Sequence, residues 1–229
     1  MKISIIIPAF NEEACIGKVL EELSSYVSRE EAEILVVDGG SSDNTVQIAE
    51  SAGVQVIHEP RRGYGRACAA GLFACNGDIV IFMDADGADD PGYLSALLQP
   101  IQDGLADLVL GSRIAGMIEK GAMPWHQYFG NWLSAALIRL IHKESITDLS
   151  PFRAVIKSQL MNLKMKEMTY GWPTEMIIKA IAQSWRIVEI PVTSRSRIGG
   201  KSKISGTIKG TVLATYHIMR MIMMQRKGN

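Results

Sequence analysis

The sequence lacks several features that mark particular classes of protein. Its 229 residues include three cysteines, Cys15, Cys68 and Cys75, without a C-x-x-C spacing, which argues against a disulfide scaffold. An odd number of thiols fits reduced cysteines, and we therefore expect a cytoplasmic location. The four histidines lack the spacing of a metal site. With 24 basic and 24 acidic side chains, the chain has no net positive charge to attract nucleic acid.

A long uninterrupted hydrophobic run is also missing. The apolar stretch at the start is broken by Pro8, and the stretch over 207–224 is interrupted by charged residues. Both are too interrupted to predict a membrane span. We predict one main domain over 1–205 and an amphipathic helix over 206–229 that is part of the same domain. This helix could pack on the core, meet a partner helix or lie peripherally on the cytoplasmic face of a membrane.

The most informative feature that is present is an apolar strand followed by two carboxylates. Residues 79–83 are apolar without alternation, as in a central strand covered on both faces, and Asp84, Ala85 and Asp86 follow directly. Open α/β sheets bind ligands at the carboxyl ends of such strands. Mg²⁺ and Mn²⁺ bind through one or two carboxylates plus substrate phosphates, so the expected ligand is a nucleotide diphosphate. The alternative is a solvated turn, because Asp and Gly are common turn residues.

Two further strands are predicted to end at the same edge of the sheet. Residues 2–8 and 33–37 form apolar runs, and each is followed by a polar loop and then by a helical pattern. Alternating strands and helices imply right-handed crossovers and parallel pairing. We therefore predict an α/β fold with a mostly parallel central sheet and helices on both faces, in which these loops converge.

Six segments of the sequence together resemble the family-2 glycosyltransferases. They are IIPAFNEE (6–13), VVDGGSSD (36–43), RGYGRA (62–67), DADG (84–87), GSR (111–113) and TDLSPFRA (147–154). The match runs in order from residue 3 to about residue 205 and is most similar to the dolichyl-phosphate-mannose synthase-like branch. The resemblance implies a nucleotide-diphospho-sugar transferase fold of the GT-A type, metal-dependent hexosyl transfer and inversion at the anomeric carbon.

The resemblance also implies a donor site for a UDP- or GDP-sugar. Its metal, Mg²⁺ or Mn²⁺, is expected on Asp84 and Asp86. Arg62 and Arg66 lie in a glycine-flanked loop that could fold over the nucleotide, although such a loop could also be a solvated basic turn. The expected donor residues are Pro8, Phe10, Glu12, Asp38, Arg62, Arg66, Asp84, Ala85 and Asp86.

A carboxylate near the start of a predicted helix is the preferred catalytic residue. Glu175 occupies this position, where an acidic residue could equally serve the helix dipole. By resemblance it lies near donor and acceptor. Asp148 is the second candidate, although a loop-capping role would also explain it. A hydroxyl acceptor would need a carboxylate as general base, whereas a lipid phosphate is already an anion and would need only orientation.

Polar and basic residues of the second half are expected to bind the acceptor or the donor diphosphate. A helix over about 125–141 is predicted to carry Phe129, Leu133, Leu137 and Leu140 on one side. The expected binding residues are Arg113, Gln127, Asn131, Arg195, Arg197, Lys201 and Lys203. A polyprenyl phosphate or another membrane-associated acceptor is plausible, but Gln127 stands where the synthases carry an Arg, and Gln cannot form a charged fork to phosphate.

Two other departures from this branch concern the donor site. Gly39 stands where many members have a second Asp that contacts the nucleobase, and Ala88 stands where the synthases have a metal-binding Gln. The neighbouring Asp89 and Asp90 could compensate for Ala88. The departures leave open an alternative function, that of a catalytically weak sugar-nucleotide-binding subunit of a membrane glycan-assembly complex.

Overall fold

The computed structural model describes residues 1–28 and 30–200. Strands and helices alternate along this part of the chain. The strands are β1 (Ile3–Ala9), β2 (Ala32–Asp38), β3 (Gln55–His58), β4 (Ile79–Phe82), β5 (Leu108–Ile118), β6 (Arg153–Ile156) and β7 (Ile187–Ser194). The helices are α1 (Ile16–Tyr26), α2 (Thr45–Ser51), α3 (Tyr64–Ala74), α4 (Leu94–Gln102), α5 (Trp125–His142), α6 (Lys157–Asn162) and α7 (Trp172–Ala182), and a 3₁₀ turn, Pro91–Tyr93, precedes α4.

One sheet joins the strands of the described chain in the order β3-β2-β1-β4-β6-β5-β7. β1 pairs in parallel with β2 and β4, β2 pairs in parallel with β3, and β5 pairs in parallel with β7. β6 runs antiparallel to β4 and β5. The predicted mostly parallel sheet is confirmed. Because β1, β2 and β4 are parallel neighbours, the loops that follow them lie at one edge of the sheet.

The strands are apolar on both faces because helices cover both faces. In β1, Ile5 and Ile7 belong to one hydrophobic core and Ile6 belongs to the other. Residues of α1, α2 and α4 complete the first core, and residues of α3, α5, α6 and α7 complete the second. The two-sided arrangement predicted from the unbroken apolar runs is therefore confirmed.

Two strands, β3 and β6, were not predicted. Each has four residues, which is too short for a periodic pattern to identify. β6 nevertheless occupies a central place, and it begins with Arg153, a residue that is unusual in a buried strand. The sequence predicts only a short strand over 107–110, but β5 continues to Ile118, because its second half pairs with β7 after an irregularity between Ser112 and Met117.

Helix α5 buries only part of the stripe of apolar residues predicted for one of its sides. Phe129 is 53% exposed and Leu140 is 78% exposed. The fully buried residues of the helix are Ser134, Ala135 and Ile138. Leu137 of the predicted stripe packs against the second core and Leu133 is half-buried, so the prediction is right for the middle of the stripe and wrong for its two ends.

No helix in the described ranges is long and apolar enough to cross a membrane. The amphipathic helix predicted over 206–229 lies outside the described residues, as does the end of the predicted main domain.

An ion pair joins the beginnings of β5 and β7. Arg186 donates to Asp107 from Nε, at 3.0 Å from Oδ2, and from Nη2, at 2.8 Å from Oδ1. The Arg186 backbone N–H adds a bond of 2.9 Å, and Gln159 of α6 adds one of 3.1 Å. The hydrogen bonds from Arg186 hold the pKa of the Asp107 carboxyl below its usual range.

We predict that Asp107→Asn lowers the free energy of unfolding by roughly 1 to 3 kcal/mol at neutral pH, the usual worth of hydrogen bonds to a charged group. The folded pKa lies below the unfolded value of about 3.9. The stabilisation is therefore complete well above that value and is lost as the pH falls towards the folded pKa. Urea unfolding at neutral and acid pH measures this effect.

The difference between wild type and variant should shrink in acid. Asp103→Asn, at an exposed carboxylate, is the matched control and should unfold like the wild type. An equal loss of stability at both pH values would show that the charge of Asp107 is not responsible.

Candidate active site

The loops after β1 and β2 are tied together at the carboxyl edge of the sheet. The Gly39 N–H donates to the Ala9 carbonyl at 2.8 Å, and the Ser42 N–H donates to Asn11 Oδ1 at 2.8 Å. Asn11 has a φ of 53°, a left-handed conformation that Asn adopts more readily than most residues. These hydrogen bonds hold the two loops together at this edge of the sheet.

A cavity of about 350 Å³ opens at this edge. Its size is that of a small-ligand pocket. It is lined by Pro8, Ala9, Phe10, Glu12, Gly39, Arg62, Gly63, Tyr64, Ala67, Asp84, Ala85, Asp86, Tyr170 and Arg197. Of the predicted donor residues, Asp38 and Arg66 are the two that are not part of this lining. The structure thus brings the other predicted donor residues together around one space.

Asp84 and Asp86 line the cavity directly after β4. The Tyr64 hydroxyl donates to Asp84 Oδ1 at 3.2 Å, and the Asp84 N–H donates to Asp89 Oδ2 at 2.9 Å. Burial, together with the charges of Asp89 and Asp86, raises the pKa of Asp84. Burial likewise raises the pKa of Asp89 to about 7. The site therefore concentrates negative charge that a cation would stabilise.

Arg197 reaches these carboxylates from the segment after β7. Its Nη1 lies 3.0 Å from Asp86 Oδ2, and its Nη2 pairs with the carboxylate of Glu12. The Ile198 N–H donates to the Asp86 carbonyl at 3.1 Å. Ile198 also covers Gly87 so closely that a Cβ at Gly87 would lie 2.3 Å from Ile198 Cδ1. This segment therefore docks on the loop after β4 and places a guanidinium in the cavity.

The carboxylates fit a hard divalent cation that completes its coordination with substrate oxygens. Within the described ranges, no group of three or more His, Cys, Asp or Glu side chains is arranged to hold a metal ion by itself. Asp84 and Asp86 offer two carboxylates beside an open cavity, the number that Mg²⁺ uses together with nucleotide phosphates. Arg197 pairs with Asp86. A metal ion bound to this carboxylate would therefore share the carboxylate with the guanidinium or displace the guanidinium from it.

Arg62 is stacked on an aromatic ring of the cavity. Its Cζ lies 4.4 Å from the centroid of the Phe10 ring, within the range of a cation–π contact. The stacking holds a positive charge and an aromatic surface side by side in the lining. The aromatic ring and the guanidinium can both bind parts of a nucleotide.

The glycines after Arg62 are required by a close backbone contact. A Cβ on Gly63, which has a φ of 147°, would lie 2.3 Å from the Met168 carbonyl oxygen, and one on Gly65 would lie 2.5 Å from the Glu167 carbonyl oxygen. The Gly65 N–H donates to the same segment, at 3.2 Å from the Thr169 carbonyl. The 165–170 segment therefore sets the path of this loop.

Glu175 holds the 165–170 segment in place. Its carboxylate accepts from the Lys166 N–H at 2.9 and 3.1 Å and from the Glu167 N–H at 2.7 Å, and Lys179 Nζ lies 2.9 Å away. Glu175 is 5% exposed and is not part of the cavity lining. These contacts give it a positioning task, and its role as the catalytic carboxylate stays a prediction.

Asp148, the other predicted catalytic residue, is fully buried in an ion pair with Arg113. Arg113 donates from Nε and Nη2 at 2.8 Å each, and Asn131 Nδ2 donates at 2.7 Å. Burial opposes the charge of Asp148, but the charge of Arg113 and its hydrogen bonds outweigh burial and lower the pKa. The Asn131 amide oxygen accepts from the Leu149 N–H at 3.0 Å. The predicted roles of these residues in catalysis and acceptor binding stay predictions, beside this internal network.

Asp38 is not part of the cavity lining, but its hydrogen bonds hold the loop after β2 in place. Its carboxylate accepts from the Gly40 N–H at 3.2 Å and from the Ser41 N–H at 3.0 Å, and His58 Nδ1 lies 3.7 Å away. Arg66 is half-buried on α3. A direct contact of either residue with the donor stays a prediction.

Arg195 is engaged by carboxylates outside the cavity. Its guanidinium lies 2.6 Å from Glu22 and 2.7 Å from Asp90. Asp90, which was expected to supplement the metal site, is therefore paired with an arginine. The remaining predicted binding residues are Gln127, which is half-buried on α5, and Lys201 and Lys203, which lie outside the described residues.

Sequence reasoning missed two tyrosines of the cavity, Tyr64 and Tyr170. Tyr64 lies between two glycines at the start of α3, so its position in the RGYGRA segment was an available signal. Tyr170 lies on the 165–170 segment, and no local pattern connects it with the donor loops. Its place follows from tertiary contacts alone.

Residues 4–163 match the family model described as Glycosyl transferase family 2. An uncharacterized glycosyltransferase of Mycobacterium tuberculosis is 35% identical over 222 residues, which cover 96% of this chain and 97% of that protein. An undecaprenyl-phosphate mannosyltransferase of Micrococcus luteus is 31% identical over 223 residues, covering 92% of this chain and 90% of that protein. A dolichyl-phosphate hexose transferase of Haloferax volcanii is 32% identical over 200 residues, covering 86% and 84%.

A solved structure with the same architecture is glucosyl-3-phosphoglycerate synthase from Mycobacterium tuberculosis, in complex with Mn²⁺, uridine diphosphate and phosphoglyceric acid. It matches 99% of this chain and 78% of its own with a TM-score of 0.81, at 22% sequence identity. At this identity the likeness bears on the fold, and it confirms the predicted GT-A architecture. The chain belongs to glycosyl transferase family 2 and has the GT-A fold, with dolichyl-phosphate and undecaprenyl-phosphate sugar transferases among its relatives.

Proposed function

We propose that the chain is an inverting, metal-dependent glycosyltransferase that moves a hexose from a UDP- or GDP-sugar to a polyprenyl phosphate. The observation that carries the donor half is the pair Asp84 and Asp86, which follows a buried strand and lines a cavity. The names of two relatives, an undecaprenyl-phosphate mannosyltransferase and a dolichyl-phosphate hexose transferase, support the acceptor half. Residues 1–205 would form the catalytic domain, and 206–229 would form a helix that belongs to it.

The cavity offers groups for the nucleotide and for the diphosphate of a nucleotide-diphosphate sugar. Phe10 and Arg62 present an aromatic ring and a cation to the nucleotide. Asp84 and Asp86 would hold Mg²⁺ or Mn²⁺, whose charge when bound stabilises the diphosphate as it leaves. Arg197 carries a further positive charge beside these carboxylates and can donate to an anionic oxygen.

A phosphate acceptor agrees with the positions of the two predicted bases. Transfer breaks the bond between the anomeric carbon and the diphosphate oxygen, and the electron pair leaves with the nucleoside diphosphate. The new bond forms from an acceptor oxygen on the opposite side of that carbon. A phosphate oxygen is already anionic, so no residue has to take a proton. Glu175 and Asp148 are both committed to internal hydrogen bonds, which favours an acceptor that needs no base.

We predict that Asp86→Asn weakens metal-dependent binding of a nucleoside diphosphate by on the order of 10- to 100-fold or more, judged by what even outer-shell changes cost. The variant should keep its fold, because Asn can still accept a hydrogen bond from Arg197. Calorimetry with UDP and with GDP, each in the presence and absence of Mn²⁺, measures the effect.

Asp103→Asn is the control, since it removes an exposed carboxylate away from the cavity and should bind like the wild type. Unchanged affinity of the Asp86 variant in Mn²⁺ would exclude the metal role of this residue. Nucleotide binding by a wild type that transfers sugar to no acceptor would favour the alternative, a sugar-nucleotide-binding subunit.

We predict that Glu175→Gln slows transfer to a polyprenyl phosphate far less than the roughly 10²- to 10⁴-fold loss expected when a general base is removed. A neutral amide cannot accept at both oxygen positions, so the 165–170 segment should loosen and the donor should bind more weakly. Single-turnover transfer at saturating donor, combined with a donor titration, separates the two effects.

Glu144→Gln changes an exposed glutamate and should alter neither quantity. A rate loss of about 10²-fold or more at saturating donor would identify Glu175 as a base and would speak for a hydroxyl acceptor instead.

A further inference from the structure

Helix α5 presents an exposed aromatic face. Trp125 is 79% exposed, Tyr128 44%, Phe129 53% and Trp132 51%. Their spacing of three and four residues places them on one side of the helix. The Phe129 and Trp132 rings lie 5.9 Å apart between centroids, so the two rings form a contiguous surface. We call these four residues the aromatic face.

Leu140, 78% exposed, lies on α5 together with the aromatic face. The other exposed large hydrophobic side chains of the described chain are dispersed, among them Tyr26 at the end of α1, Phe73 on α3 and Met161 on α6. Single apolar residues of this kind are normal on a protein surface, whereas a contiguous patch marks an interaction site. The aromatic face is therefore the surface of the described chain that we expect to be an interaction site.

The charges of α5 select the occupant. Its 18 residues include no Asp or Glu, and its last turn carries Arg139 and His142. Lys143 follows directly and Lys120 precedes the helix, each exposed beside an exposed glutamate, Glu144 and Glu119, so the helix and its flanks carry one net positive charge. Trp and Tyr prefer the boundary between lipid headgroups and acyl chains, and cations beside them favour anionic headgroups. An amphipathic helix with this composition lies in the plane of a membrane surface.

The inner side of the same helix touches the loop before β6. Asn131 donates to Asp148 and accepts from the Leu149 N–H. A helix is about 10 Å across with its side chains. A lipid surface on the aromatic face would therefore lie one helix diameter from the loop 146–152, which carries Asp148, the second predicted catalytic residue.

We propose that the aromatic face of α5 is a docking surface for anionic lipid headgroups, on which the helix lies parallel to the membrane. The inference rests on the proposed function, because a polyprenyl phosphate is met in a membrane and not in free solution. It assigns membrane contact to a described helix of the catalytic fold, independently of the segment 206–229.

Sedimentation of the full chain with vesicles of phosphatidylcholine and phosphatidylglycerol tests the proposal. The double variant Trp125→Glu/Trp132→Glu should partition onto vesicles roughly 10-fold less than the wild type, because it removes apolar contact and adds repelled charge. Phe73→Glu, which makes the same change at a 71% exposed aromatic on α3, should bind like the wild type. Added salt should weaken binding, since the cationic contribution is screened within a Debye length.

Brominated phospholipids give a second readout, for which the double variant supplies the emission of the two remaining tryptophans, Trp172 and the half-buried Trp185. Trp125 and Trp132 should lose fluorescence on the vesicle surface, whereas the buried Trp172 should not. Absence of quenching in vesicle-bound wild type would overturn the proposal. Equal partition of the double variant would overturn it as well.

Two alternative occupants have distinct signatures. A wild-type dimer that the double variant dissociates would assign the face to a second copy of the chain and overturn the proposal. Vesicle binding that is lost on truncation after Gly200 and is insensitive to the double variant would assign it to the terminal segment, and would also overturn the proposal.

Failure of the proposed function would look different. Wild-type protein that docks on vesicles in this manner, but transfers no sugar to polyprenyl phosphate within them, would support the docking surface and refute the acceptor. Transfer to a short, water-soluble polyprenyl phosphate should be equal in the wild type and the double variant, because neither tryptophan lines the donor cavity. Unequal transfer there would show that the face does more than dock, and would overturn the proposal.

Discussion

The carboxylates of Glu12, Asp84, Asp86 and Asp89 lie at one edge of the sheet, and their mutual repulsion is the constraint to which the surrounding structure responds. Burial makes the repulsion stronger, because charges interact more strongly at low dielectric. Two features of the described chain reduce this repulsion. Asp89 accepts a hydrogen bond from the Asp84 N–H, and its raised pKa of about 7 keeps the Asp89 carboxyl partly protonated near neutral pH. Arg197 pairs with Glu12 and Asp86 at once.

Positive charge beneath the site comes from arginines held by the antiparallel strand and its neighbour. Arg113 pairs with Asp148, and Arg153, 1% exposed, donates to the carbonyls of Leu149 and Pro173. Burial lowers the pKa of Arg153 to about 10, which still leaves it charged at neutral pH. β6 therefore interrupts the parallel order of the sheet at the place where cations are needed.

Much of the cavity lining could be predicted from sequence because its residues follow strands with unbroken apolar runs. Asp84 and Asp86 are separated by one residue, and the direction of β4 alone places them at the carboxyl edge of the sheet, where the cavity opens. The contacts of the predicted catalytic residues could not be predicted in the same way. Glu175 shows in the sequence as an acidic residue in a first helical turn, and nothing local indicates that its carboxylate is bound by backbone N–H groups of the preceding segment. The exposed side of α5 was missed because a helical stripe of large apolar residues is normally the buried one.

The contact between the glycine loop and the 165–170 segment constrains how this enzyme can diversify. Gly63 and Gly65 are imposed by carbonyl groups of Met168 and Glu167, which belong to a distant part of the chain. A loop transplanted from a relative with any side chain at these two positions would collide with that backbone, however well it suited its own neighbours. Changes in the path of this part of the cavity lining would therefore need paired changes in both segments, or the exchange of both segments together.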